Sequence, residues 1–546
     1  MLLPAAVLTS AATLLAQQPA VQTRPAAGAL ELEIVPAGPD PAVVEDFKAG
    51  LAQHPAVKAR LGGALPRLLS FQLLHAPEKD AVTGTPFEAY LFDYQRNQAY
   101  AVSGDLERPD AIQLAESDRI LVPNGPEYAD ALTVIEEDPL LGAALRSGEL
   151  MAYMAMPPVL ENPQADGRHH RTLAIGLLPQ NGARLPHQIV GVDMIARRLL
   201  TYPDNAPPHA RANALTCNPP PSANQSTSNR GLTGSVVVRA RLGGIEYWRF
   251  LVTRPSDSTG TNASGVDLRN VYFRGKKVLT QAHASILNVN YDTSACGPYR
   301  DWLWEEGMFT ADGTDVAPGI RRCSTPAQTI LDSGSDSGNF RGVAIYVDGN
   351  NELVLVSEME AGWYRYVSEW RFRTDGTLLP RFGFDGVQNS CTCRRHHHHV
   401  YWRMDFDLGS DLNDRVQEYN EISGVPQVTD LAVETDRLRS GGTNRSWRVQ
   451  NSTGAEFYSI LPGANDGFTN AYAPVDFYAL RYHPGQVDDG HATWQFWRTA
   501  EDIGKFEDGE DILDQDVVVW YAAHFTHDDQ SPNNHIVGPT LAPANW

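Results

Sequence analysis

From Ser235 onward the chain reads as many short runs rich in Val, Tyr, Trp and Phe, separated by clusters of Gly, Asp, Asn and Ser, with helical periodicity almost absent. Such a pattern predicts a large antiparallel β-sandwich over residues 235–546. One segment in it fixes its own orientation. In residues 400–408, Val400, Trp402, Met404, Phe406 and Leu408 are apolar while Tyr401, Arg403, Asp405 and Asp407 are mostly polar, the period of two of a half-buried strand. Four consecutive histidines, residues 396–399, run straight into it. Carried backwards, the parity puts His396 and His398 on the inward face and His397 and His399 on the outer one. Two imidazoles at i and i+2 on one face can reach one cation, and neutral imidazole nitrogen suits copper, zinc, iron or nickel.

The chain has 546 residues, enough for several domains, and a net charge of −22. That charge argues against a nucleic-acid partner, because phosphate binding needs a basic face. No internal stretch approaches the ~20 apolar residues of a membrane span. Residues 1–28 hold an apolar run rich in small residues followed by Gln17 and Gln18, which reads as an export signal and predicts a secreted, periplasmic or extracellular protein. Asn-X-Ser/Thr sequons at Asn224, Asn262, Asn444 and Asn451 read as surface-loop positions. The five cysteines, Cys217, Cys296, Cys323, Cys391 and Cys393, suggest one or two disulfides and a free thiol. Cys391-Thr-Cys393 lacks the C-x-x-C spacing of ordinary zinc sites and reads as structural.

Upstream of the sandwich, residues 29–118 and 119–201 each read as a small α+β domain, and the Pro- and Ser/Asn-rich residues 202–234 read as a linker. The first domain carries a strand at 31–35, a helix at 41–53 and strand-like runs at 68–74 and 88–102. The second carries a helical stretch at 128–145 and strands at 151–156, 171–178 and 189–193.

Two further segments of the sandwich bear on chemistry. In residues 362–374, Tyr364, Tyr366, Ser368, Trp370 and Phe372 share one mostly apolar face, and Asp375-Gly376 supplies a turn. Alone, an inward Tyr364 is a core aromatic. Residues 516–527 bring a second source of histidine, but the run is apolar on both faces, so parity does not choose between His524 and His527.

Together these segments resemble the copper amine oxidase family, whose quinone cofactor is made from one of the enzyme's own tyrosines. Gly362-Trp363-Tyr364-Arg365-Tyr366 with Trp370 and Asp375-Gly376-Thr377 is similar to the cofactor segment. His396-His397-His398 with Arg403 and Asp405 is similar to the family's His-X-His segment, and His524-Phe525-Thr526-His527-Asp528-Asp529 with Pro532 and Gly538 to the one that delivers the third copper ligand. Tyr291, Tyr299-Arg300, Trp304-Glu305 and Gly307 are more loosely similar to the stretch with an active-site tyrosine and the catalytic aspartate.

The resemblance implies copper on His396, His398 and His524, with His527 the competing choice, and a topaquinone formed from Tyr364. It implies a proton-abstracting carboxylate at Glu305, with Asp301 competing, and Tyr291 hydrogen-bonded to the cofactor. It also implies a second cation site, calcium or manganese, on Asp405, Asp407, Asp516 and the backbone of Phe406. The expected reaction turns a primary amine and O2 into aldehyde, ammonia and hydrogen peroxide, in a homodimer. Trp363, Arg365 and Glu305 stand where the family has Asn, an acidic residue and Asp, and residues 235–546 are shorter than the family's catalytic domain. A non-catalytic, secreted copper-binding relative acting in binding or adhesion is the alternative; a zinc hydrolase lacks any nearby H-E-x-x-H arrangement.

Overall fold

The computed structural model describes residues 28–63, 65–74, 84–180, 182–200, 218–220, 234–292, 298–389, 391–410, 412, 414–491, 499–527 and 535–546. The export-like segment other than Gly28, most of the linker, Cys217, Cys296, Asn224, Asp528, Asp529 and Pro532 lie outside the described residues.

Two large, mainly antiparallel sheets form the sandwich. One runs in the order Glu31–Ala37, Ser235–Leu242, Ile245–Thr253, Asp267–Phe273, Lys276–Tyr291, His396–Phe406, Val517–His527, Phe477–Arg481 and Thr435–Arg437. The other has Val343–Val347, Leu353–Ala361, Tyr364–Phe372, Leu378–Gly386 and Thr540–Ala544 as successive members near its middle. Aromatic side chains interdigitate between them: the Phe250 and Phe372 rings stack at 4.2 Å, and Phe382 meets Trp402 edge-on at 6.4 Å. The tyrosine strand begins straight after the two-residue turn Gly362-Trp363, where Gly362 takes a φ of 59°, a left-handed conformation that suits glycine. At its other end the Asp375-Gly376 turn forms as the sequence predicts, with Asp375 Oδ1 accepting from the Thr377 N–H at 2.9 Å.

Each small unit packs helices on a four-stranded sheet. In the first, Asp40 caps the helix Pro41–Leu51 by accepting from the Ala42 N–H, and Val44, Leu51, Phe71, Phe87 and Leu91 form its core. The strand predicted at 31–35 is not part of this unit. It extends over Glu31–Ala37 and pairs with Ser235–Leu242 at the edge of the large sheet, a partner some 200 residues away that local pattern does not reveal. The run at 88–102 is two strands, Pro86–Asp93 and Gln98–Asp105, folded back through a turn in which Asn97 takes a φ of 53°. In the second unit the helical stretch divides into Gly125–Glu136 and Leu141–Arg146, because Pro139 interrupts it and Asp138 Oδ1 accepts from the N–H groups of Leu140 and Leu141.

Beyond half-exposed His397, the outer face of the histidine strand is not solvated. Ala473, Val475, Tyr478, Leu480, Ala500 and Ile503 pack over it, so His399, Tyr401 and Arg403 are buried. Asn262, expected on a surface loop, is buried too and donates to the His491 carbonyl at 2.8 Å.

Candidate metal centre

The histidine strand spans His396–Phe406 and lies between Lys276–Tyr291 and Val517–His527. Opposed residues in an antiparallel pair point to the same face. His396 is opposite Tyr291 on one side and His527 on the other, while His399 is opposite His524. Register therefore decides what parity could not: His527 joins His396 and His398 on the inner face, and His524, the expected third ligand, points to the outer one. Nitrogen atoms of His396, His398 and His527 lie within 4.8 Å of one another, and all three residues are buried. Their ring centroids are 4.7, 4.8 and 6.4 Å apart.

The donor set fits a metal. Neither ring nitrogen of His398 has a hydrogen-bond partner, and its ring is sandwiched against Phe384 at 4.5 Å. Leaving such a group orphaned in the core costs about 1–3 kcal/mol, which a metal–nitrogen bond would offset. Burial and the neighbouring histidines hold the His398 pKa well below its ordinary value, keeping the imidazole in the neutral, ligating form. His396 Nδ1 lies 2.5 Å from the Arg394 carbonyl, to which it donates, so Nε2 is left as the ligand atom. His535, which sequence reasoning missed, packs its ring 4.3 Å from His527. It precedes a short strand, Ile536–Val537, that pairs with Leu378–Gly386.

From the opposite sheet Tyr364 reaches the same place. Its ring centroid is 5.5 Å from that of His396 and 5.0 Å from that of His398. Its hydroxyl is hydrogen-bonded to that of Tyr291, and Trp363 Nε1 donates to the Tyr291 oxygen at 3.3 Å. Arg365 points the other way, ion-paired to Asp336 at 2.7 Å, and donates to the Gly362 and Tyr364 carbonyls at 3.1 and 2.8 Å. The two residues flanking Tyr364 thus occupy defined places: Trp363 touches the phenol pair and Arg365 braces the turn.

Of the two competing carboxylates, Asp301 is the one beside the tyrosines. The Tyr366 hydroxyl donates to its Oδ2, and Oδ1 has no hydrogen-bond partner. Burial pushes the Asp301 pKa up to about 8. Glu305, the expected base, interacts electrostatically instead with buried Glu360, Tyr128 and Arg365 and with half-buried Arg341. No periodicity runs through residues 301–305 by which a sequence reading could have told the two apart.

At the far end of the histidine strand, Asp405 and Asp407 share the outer face, and with Asp516 they bring carboxylate oxygens within 4.8 Å of one another. Asp407 also accepts from the Thr280 hydroxyl. This is an all-oxygen donor set of the kind calcium and manganese take. The Phe406 side chain between them points into the core, 6.0 Å from Tyr458 ring to ring. Glu434, Asp508 and Glu510 form a further carboxylate group that the sequence did not single out, but one Glu434 oxygen already accepts three backbone N–H groups. Cys391 and Cys393 are disulfide-bonded and so are not soft ligands; Cys323 is a buried free thiol.

No family model matches the sequence, and no curated protein matches it. Solved structures do. The chain is similar to a copper-containing benzylamine oxidase of Hansenula polymorpha, with a TM-score of 0.61 and 12% identity over 93% of this chain and 97% of that one. It is similar to an Aspergillus nidulans amine oxidase (TM-score 0.57, 14% identity, 94% and 88% covered) and to the Pichia pastoris lysyl oxidase (TM-score 0.55, 11% identity, 88% and 86% covered). The chain therefore has the copper amine oxidase fold.

Proposed function

We propose that the chain is a copper-dependent primary-amine oxidase, converting amine, O2 and water to aldehyde, ammonia and hydrogen peroxide. One observation carries this reading: three buried imidazoles from two strands converge on one point with the Tyr364 ring against them, in the fold of the copper amine oxidases. His396, His398 and His527 would hold the copper. Tyr364, against that site, would be the source of a topaquinone, which would supply the electrophilic carbonyl for a primary amine.

The chain's own groups do the rest. Asp301 accepts the α-proton of the bound amine at Oδ1 while Tyr366 holds Oδ2 in place. Tyr291 holds the oxygen of Tyr364, and Trp363 orients Tyr291. Burial of all these side chains keeps water from competing. Asp405, Asp407 and Asp516 would take a structural calcium or manganese ion. Disulfide-bonded Cys391 and Cys393 accord with an exported protein.

The test is aerobic loading of the purified chain with copper, followed by visible spectroscopy and reaction with phenylhydrazine. The expected result is a coloured protein with an adduct on Tyr364, and Tyr364→Phe should lose both while retaining copper. Copper bound without colour or adduct would support the non-catalytic reading.

A further inference from the structure

The outer face of the histidine strand carries a second set of polar groups. His399 Nδ1 lies 2.8 Å from His524 Nδ1, and His399 Nε2 lies 2.8 Å from Asn290 Oδ1. His524 Nε2 lies 3.1 Å from Asp476 Oδ1, and Arg439 fixes Asp476 through its Nε at 2.8 Å and its backbone N–H at 2.8 Å. Asp476, His399 and His524 are all buried. The directions follow from the amide end: Asn290 Oδ1 accepts from His399 Nε2–H, so His399 Nδ1 accepts from His524 Nδ1–H, while His524 Nε2 is in close contact with Asp476 Oδ1 without a hydrogen bond to it.

This chain of contacts crosses the three strands that build the site. Asn290 precedes Tyr291, His399 follows His398, and His524 lies on the strand that ends in His527. The strands need such a marker. Alternation excludes a slip of one residue, because it would turn every inward side chain outward, but it does not exclude a slip of two. A run of identical residues is poor at excluding that slip by itself. Sliding the histidine strand two residues one way would set His398 opposite His527 and Tyr401 opposite His524; sliding it the other way would set Arg394 opposite His527. Only the observed register brings His399 opposite His524.

We propose that the Asp476–His524–His399–Asn290 chain, buried except at half-buried Asn290, pins the register of these strands, making His399 and His524 positioning residues for the inner-face metal site. The proposal rests on reading His396, His398 and His527 as a copper site. Its test is titration of the full-length chain with Cu(II) against a competing chelator, with the electron paramagnetic resonance spectrum of the bound copper as a second readout. His399→Phe keeps an aromatic ring but removes both hydrogen bonds. It should weaken copper binding by about 10- to 100-fold, the range for losing groups that orient metal ligands, and split the spectrum into more than one species. His399→Asn, whose amide oxygen can still accept from His524, should return affinity to within about 3-fold and restore a single species.

Should His399→Phe fail to fold, His524→Gln, which can still reach Asp476 but not His399, is held to the same two readouts. A folded variant with unchanged affinity and spectrum overturns the proposal, and so does a loss in His399→Phe that His399→Asn does not repair, because packing alone would then explain it. A wild-type chain that binds no copper overturns the copper reading itself; bound copper indifferent to the outer face overturns only this inference.

Discussion

Asp301 and Glu305 lie four residues apart on one buried segment, and burial pushes the pKa of each up to about 8. Each also keeps one carboxylate oxygen without a hydrogen-bond partner. By titration alone they are indistinguishable. What separates them is company: Asp301 shares its space with Tyr366 and the Tyr364–Tyr291 pair, whereas Glu305 faces Glu360, Arg341 and Arg365. Desolvation raises any buried carboxyl, so a raised pKa nominates a base only where a reacting group lies beside it.

The comparison is sharpest in paired variants. Asp301→Asn should lower kcat by about 10²- to 10⁴-fold, the usual contribution of a positioned general base, while Glu305→Gln should stay within about 3-fold of the parent, both read by peroxide release from a primary amine. A reversed order would return the role to Glu305. The pH profile gives a second separation. Asp301 must be ionised to take a proton, and it is protonated below about 8, so kcat/KM should rise as pH increases through that value. The phenol of Tyr366 donates to the carboxylate and favours its charged form. Tyr366→Phe should therefore move the rise to higher pH and cost about tenfold in kcat/KM at pH 7, and Glu305→Gln should leave the rise where it is.

Much of the site was legible, and the limit was physical. His396, His398 and Tyr364 could be placed because alternation in a half-buried strand is a local property, written in each strand's own residues. The choice of His527 over His524 was not local, since residues 517–523 are apolar on both faces and only pairing with the histidine strand orients them. That Asp301, and not Glu305, lies beside the tyrosines was hidden because the segment carrying them follows neither a strand nor a helix period. The sandwich was legible as a class, yet the place of Glu31–Ala37 at its edge depends on a pairing across both small units. The buried outer face was missed because the layer above it, in the described residues 473–491 and 499–503, is mostly irregular chain whose apolar side chains show no period.

The smallest expected effect concerns stability. Glu305 has a folded pKa of about 8 against an ordinary value of 4.5, so its protonated form is the one the fold favours. Its contribution is fully present below about pH 4.5 and declines as pH rises toward about 8, because the unfolded chain has already released the proton that the folded one still holds. Glu305→Gln keeps the shape of the protonated acid and removes the titration. The variant's Tm relative to the parent should accordingly climb between pH 5 and about pH 8 and level off above it, a trend measurable by calorimetry on the metal-free protein. Asp301→Asn should give a trend of the same sign, since its carboxyl is raised by the same desolvation, even though its effect on turnover is the opposite extreme. Matching stability trends with divergent turnover would show that the two carboxyls differ in what surrounds them and not in how hard the interior presses on their charge; a flat difference for Glu305→Gln would mean that its charge is compensated by Arg341 and Arg365 and that the likeness between the two sites was only apparent.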